Sequence, residues 1–215
     1  VDEEGFEGAK AIVESTASLL TEPDEMMSLL DLLNSHADHL YAHALGVSLY
    51  SVMIAKEMKW HSLGNLYKIS MGGLLHDIGK REIDRNILMK RLNDMSAEEV
   101  EIYETHPNRG LEILSQIRSI PSDVLQIVFQ HHENCLGLGY PLRLTKNHIH
   151  PMAKLVSVAD EFCYRVLKGP ENLNLSPQEA LQRMNMTSDG KFDPEFTHAL
   201  MRIFASEKQK DKNAA

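Results

Sequence analysis

The chain has 215 residues, 43% hydrophobic and 25% charged, the balance of a soluble globular protein with one sizeable core. Lys and Arg total 22 against 31 Asp and Glu, a formal net charge of -9; this excludes a broad basic footprint for duplex nucleic acid and means that an anionic substrate needs local help. Two cysteines, Cys135 and Cys163, exclude a disulfide framework and a four-thiolate zinc site and fit a reducing cytoplasm.

No run approaches the ~18 apolar residues of a spanning helix, and no charged-then-apolar leader opens the chain, so neither a membrane span nor a signal peptide is expected. The chain opens at Val1 without Met, as a trimmed piece of a longer protein would.

Capped and Pro-initiated segments recur while strand-like alternation is nearly absent, so the fold class is all-α. Residues 1–35 read as a helical lead-in, with helices over about 7–20 and 24–34. The domain proper runs over 36–206, with helices over about 37–60, 63–76, 97–106, 108–117, 122–132, 151–168, 177–185 and 194–206. In the first of these Leu40, Val47, Tyr50 and Ile54 form an apolar stripe that should face the core, with His36 and His43 on it. Ser96 with Glu99 and Ser176 with Glu179 match the capping box, and His150-Pro151 and Asp193-Pro194 put Pro at the start of two further helices. Residues 134–149, with Gly137, Gly139, Pro141 and Asn147, form the longest loop, the kind of segment that carries function. The charged tail 207–215 reads as disordered.

Eleven histidines are the compositional anomaly, and histidine is the commonest metal ligand. His76-Asp77, His131-His132, His43, His106 and Asp160 lie at or near the ends of apolar helices. A lone His beside an apolar stripe is more often a hydrogen-bonded core residue. A group of buried imidazoles and carboxylates is costly unless paired or metal-bound. Adjacent residues on a helix diverge by about 100°, so His76 and Asp77 suit two neighbouring ions, with Asp77 as the candidate bridge. A set of imidazole and carboxylate without thiolate points to iron, manganese or zinc. Glu133 reads equally as an acceptor for an imidazole N–H and as a solvated surface carboxylate. The methionines read as core filling, Cys135 and Cys163 as inert, and Trp60 as the edge of the core. His36, His61, His148, His150 and His198 read as surface or capping residues.

The series HDIGK at 76–80, His106 with Pro107 and Gly110, HHENCLGLGYP at 131–141 and VAD at 158–160 resembles the HD-GYP family of the HD phosphohydrolase superfamily. The resemblance runs from about His43 to Phe196. It implies a compact helical HD-domain bundle with a metal site in its core and a GYP loop beside it. It also implies hydrolysis of cyclic di-GMP to pGpG or GMP by hydroxide generated between two divalent ions, iron or manganese. By the family pattern one ion is held by His43, His76, Asp77 and Asp160, the other by Asp77, His106, His131 and His132. Lys80 resembles the family's Lys that contacts substrate phosphate, and Gly139, Tyr140 and Pro141 form the loop beside the site. A signalling protein could dock through that loop.

The sequence departs from the family at four places. His39 stands where members with a third metal carry Glu, which favours two metals, and Leu136 replaces an Asp. Cys163 replaces another Asp, and Gly169 and Asn172 occupy two positions that are basic in the family, with Lys168 as a substitute if the register slips by one. The alternative to a phosphodiesterase is therefore a catalytically weak or inactive module that binds nucleotide or a signalling partner. A third reading keeps the chemistry and changes the nucleotide.

Overall fold

Helix starts follow local chemistry. Ser96 N–H donates to Glu99 Oε2 at 2.9 Å and Glu99 N–H to Ser96 Oγ at 3.3 Å, and Ser176 and Glu179 repeat the exchange at 3.0 and 3.3 Å. Each pair satisfies two amides that a helix start would otherwise leave unpaired. The structure, a computed structural model, describes residues 39–167, 175–187 and 190–214. Among these the helices are α1 (His39–Glu57), α2 (Leu63–Leu75), α3 (Arg85–Leu88), α4 (Ala97–Tyr103), α5 (His106–Ser115), α6 (Ser122–Gln130), α7 (Pro151–Val166), α8 (Pro177–Thr187) and α9 (Pro194–Ala214). The described residues contain no strand, only an isolated bridge between Leu136 and Thr145, as the all-α expectation requires.

Three details differ from the sequence reading. Residues 77–96, which carry no helical expectation, form 3-10 turns at Ile78–Glu82 and Leu92–Asp94 around the short α3. The last helix runs on to Ala214, past residue 206. Lys, Glu, Gln and Ala are good helix formers, and extending an existing helix is far easier than nucleating one. On α1, Val47, Tyr50 and Ile54 are buried, but Leu40, in the first turn, is 48% exposed and drops out of the stripe. The helices expected over 7–20 and 24–34, together with His36, Lys168, Gly169 and Asn172, lie outside the described residues.

The central helix is α7. Its buried positions, from Met152 through Ala153, Leu155 and Val156 to Phe162 and Cys163, leave little of its surface exposed, so it needs apolar partners on several sides. It has them in α1, α6, α8 and α9. Tyr50 of α1 meets Phe162 edge-on at 4.8 Å, and Phe204 of α9 lies 5.2 Å from Phe162. Trp60 packs edge-on against Phe196 at 5.8 Å, at the margin of this core. A second, smaller core joins Met71 and Leu75 of α2 to Leu114 of α5 and Val124 and Val128 of α6. The histidines expected from the sequence sit where helices of both cores meet.

Candidate metal centre

Three helix ends present imidazoles in the same way. His76 follows the last residue of α2, His106 opens α5 two residues beyond the C-cap of α4, and His131 follows the last residue of α6. The last carbonyls of a helix lack intrahelical partners. His76 Nδ1 donates to Gly73 O at 2.7 Å, His106 Nδ1 to Tyr103 O at 2.7 Å and His131 Nδ1 to Val128 O at 2.8 Å. A carbonyl only accepts, so each Nδ1 carries the proton and each Nε2 keeps a lone pair. His106 Nε2 and His131 Nε2 face one another at 3.3 Å. The C-terminal ends of α2 and α6 add their partial negative charge at this place, which favours a cation.

Asp77 lies between these nitrogens. Its Oδ1 is 3.3 Å from His106 Nε2 and 3.7 Å from His131 Nε2, and its Oδ2 is 3.3 Å from His76 Nε2. Asp160 Oδ1, from α7, lies 2.9 Å from His43 Nε2 of α1 and 3.6 Å from His76 Nε2. Two donor sets result, Asp77 with His106, His131 and His132, and His43 with His76 and Asp160, the ligand atoms of each set within 4.8 Å of one another. His39 belongs to neither set. Lys80 Nζ bonds Asp77 Oδ2 at 2.6 Å and lies 5.1 Å from the centre of the Tyr103 ring.

The charges suit a cation. Burial would raise Asp77, but His76 and Lys80 beside it hold the carboxyl well below the usual range. Asp160 is likewise raised by burial and lowered further by the His43 hydrogen bond and His76. Burial pushes His106 down to about 3, and burial with His131 and His106 nearby pushes His132 well below its ordinary value. Burial lowers His76, but Asp77 and Asp160 together outweigh it and shift the imidazole upward. Two carboxylates with His106 and His132 held neutral are protonation states that metal binding uses, and His76 must give up the proton that its carboxylate neighbours favour. His76 Nε2, Asp77 Oδ1 and His132 Nε2 are buried without a hydrogen-bond partner. Each such lone pair costs about 1–3 kcal/mol, and divalent ions in the two donor sets are the chemistry that would satisfy them, His76 in one set and Asp77 and His132 in the other. The residues therefore fit a metal pair.

Two close backbone approaches hold the site. A Cβ on Gly79 would lie 2.0 Å from His106 O and 2.5 Å from Gly110 N, so only glycine lets the Ile78–Glu82 turn press against α5. Arg109 Nη1 ties that helix to Glu82 O at 2.9 Å. A Cβ on Gly139 would lie 2.4 Å from His132 O and 2.6 Å from Asn134 N. The loop thus folds back over the His131-His132 segment, and the Tyr140 ring stacks on His132 with centroids 4.6 Å apart. Glu133 does neither thing expected of it. It is 3% exposed and accepts Leu142 N–H at 2.6 Å and Leu144 N–H at 2.8 Å, bracing the returning arm of the loop. Asp193 holds the same loop and α7 through Lys146 at 3.0 Å and Lys154 at 2.8 Å.

A cleft of about 390 Å³ opens beside the donor sets, lined among others by His43, Lys80, His132, Gly139, Tyr140 and Asp160. Pro141 is not among its lining residues. The sequence reading missed Tyr103, Tyr164, Lys191 and Phe192, which also line it. Tyr164 stands four residues after Asp160 on the same face of α7, a signal available in the sequence. Lys191 and Phe192 carry no such signal. Buried Cys163 has its thiol pushed well up by burial, which fits its reading as inert.

The profile of the HD domain family matches residues 27–196. A cyclic di-GMP phosphodiesterase of Pseudomonas aeruginosa is 28% identical over 189 residues, 88% of this chain and 45% of that protein. A 3'3'-cGAMP-specific phosphodiesterase of Vibrio cholerae is 24% identical over 80% of this chain and 36% of that protein. The chain thus spans less than half the length of these curated relatives. Among solved structures, an HDG"Y"P protein from Bdellovibrio bacteriovorus superposes with a TM-score of 0.73 at 22% identity, covering 93% of this chain and 64% of that one. The HD domain of a Listeria monocytogenes phosphodiesterase in complex with cyclic di-AMP does so at 0.56 and 17%, covering 84% of this chain and 96% of that one.

Proposed function

Because this chain belongs to the HD domain family, we propose that it is a metal-dependent phosphodiesterase of the HD-GYP type that hydrolyses cyclic di-GMP to pGpG or GMP. The observation that carries the reading is the convergence of unpartnered buried lone pairs on His76, Asp77 and His132 beside an open cleft. The relative from Pseudomonas aeruginosa supports cyclic di-GMP as the substrate.

In this reading His43, His76, Asp77 and Asp160 hold one divalent ion, and Asp77, His106, His131 and His132 hold the other. Iron or manganese fits the donor set. Such ions supply Lewis acidity toward water and the phosphoryl oxygens. The protein's own groups do the rest. The Nδ1–H bonds of His76, His106 and His131 fix tautomer and ring orientation. Lys80, anchored on Asp77, offers its remaining N–H groups to an equatorial phosphate oxygen, where charge builds up. Tyr140, stacked on His132, covers the site with Gly139 and limits water. No described helix is long and apolar enough to cross a membrane, and two free cysteines fit a cytoplasmic setting.

The test is chromatography of cyclic di-GMP incubated with protein loaded anaerobically with iron or manganese, beside Asp77→Ala. Linear product with the parent protein and none with the variant is expected. Intact substrate in both reactions, with two metals bound per parent chain, would overturn the assignment and favour the module that binds without turnover. Cyclic GMP-AMP and cyclic di-AMP in parallel reactions test the choice of nucleotide.

A further inference from the structure

A cyclic dinucleotide carries two phosphodiesters, and the donor sets with Lys80 account for only one. Among the described residues that line the cleft, Lys80 and Lys191 are the two Lys or Arg side chains. We propose that Lys191 is the cation of a second phosphate subsite, gripping the phosphodiester that is not being cleaved. The proposal rests on the phosphodiesterase reading above, which supplies a ligand with two phosphates.

Three other described basic groups near Lys191 are committed elsewhere. Lys146 and Lys154 are both bonded to buried Asp193, and Arg165 is paired with Glu161. Lys191 reaches the same Glu161 only at 3.7 Å, with its side chain 48% exposed. Its Nζ lies over the Phe192 ring, 5.0 Å from the centre. Its backbone is held, because Lys191 O accepts Cys135 N–H at 2.9 Å and so ties this segment to the start of the loop that carries Gly139 and Tyr140. A fixed base with a lightly held, solvated tip lets an ammonium reach an incoming anion without moving the fold. Its partner Glu161 adjoins Asp160, so this charge enters the cleft from the α7 side, whereas Lys80 enters beside Asp77. Part of the cation's role is to offset Glu161 and Glu104, both of which line the cleft and would repel an anion.

The test compares parent, Lys191→Ala and Lys191→Arg as metal-loaded full chains, on cyclic di-GMP and on bis(p-nitrophenyl) phosphate, a diester with a single phosphate. A lost charge-assisted contact raises KM for cyclic di-GMP by about tenfold or more in Lys191→Ala, with kcat little changed, and Lys191→Arg recovers most of it. KM for the single-phosphate diester stays at the parent value. Unchanged KM for cyclic di-GMP, or an equal loss on both substrates, overturns the proposal. If the parent cleaves the simple diester but not cyclic di-GMP, the substrate reading fails. Calorimetric binding of cyclic di-GMP to parent and Lys191→Ala then decides the subsite independently of turnover, a tenfold weaker Kd supporting it and an equal Kd overturning it.

Discussion

Glu133→Gln isolates the brace of the loop. In the parent, Oε1 takes Leu142 N–H at 2.6 Å and Oε2 takes Leu144 N–H at 2.8 Å. Gln keeps the size and shape but replaces one acceptor with an NH₂ group that cannot accept, and it leaves the other bond neutral. A charge-assisted bond contributes about 1.5–3 kcal/mol and a neutral one about 1 kcal/mol, so losing one and weakening the other costs about 2–5 kcal/mol. Leu142 is 54% exposed, so water recovers part of this, and about 2 kcal/mol remains. The cost falls on local opening of 134–149, not on the two cores, because both bonds end in the loop. Amide exchange in 134–149 should accelerate about thirtyfold, since 1.4 kcal/mol is a factor of ten, while peptides from α6 and α7 keep their rates. Hydrogen exchange read by mass spectrometry resolves these segments. Unchanged exchange in the loop, or equal acceleration in α6 and α7, would refute the bracing role.

Gly79→Ala puts a Cβ 2.0 Å from His106 O, so α5 must retreat by on the order of 1 Å or more. Ligand geometry tolerates only about 0.5 Å, so the variant should lose bound metal, by elemental analysis, while its far-ultraviolet dichroism stays helical. Retention of the full metal content would show that the crossing is not needed. Asp193→Asn should lower stability by about 2 kcal/mol at neutral pH, from weakened bonds to Lys154 and Lys146. Burial raises the Asp193 carboxyl, but the two lysines outweigh it and hold it below its ordinary value. A depressed carboxylate stabilises the fold above its unfolded pKa of about 3.9, and the contribution is lost as pH falls through the folded value. Melting curves of parent and variant should therefore differ by a constant amount from pH 8 to 6 and converge in acid. A gap that widens on acidification would refute the pairing.

Among the described residues, the sequence by itself was enough for most helix starts and for naming the side chains whose donor atoms converge. Capping boxes and Pro starts act over three or four residues, so α4, α7, α8 and α9 begin where Ser96, His150, Ser176 and Asp193 stand. The His-Asp and His-His pairs at helix ends are local as well. How the rings at 76, 106 and 131 turn is a consequence of helix termination, since each proton goes to the carbonyl three residues back.

What lies farther apart was decided only by packing. Glu133 reads as a surface or ligand-supporting carboxylate until the loop returns to place Leu142 and Leu144 against it. Leu40 belongs to the apolar stripe by spacing, yet the first turn of α1 leaves it exposed. Lys191 has no motif, and it becomes part of the cleft because its carbonyl bonds Cys135 and its ammonium approaches Glu161. Hydrogen bonds along a helix follow from neighbours in the chain. Which loop folds onto which helix follows from the summed burial of two cores, and no short stretch of sequence carries that sum.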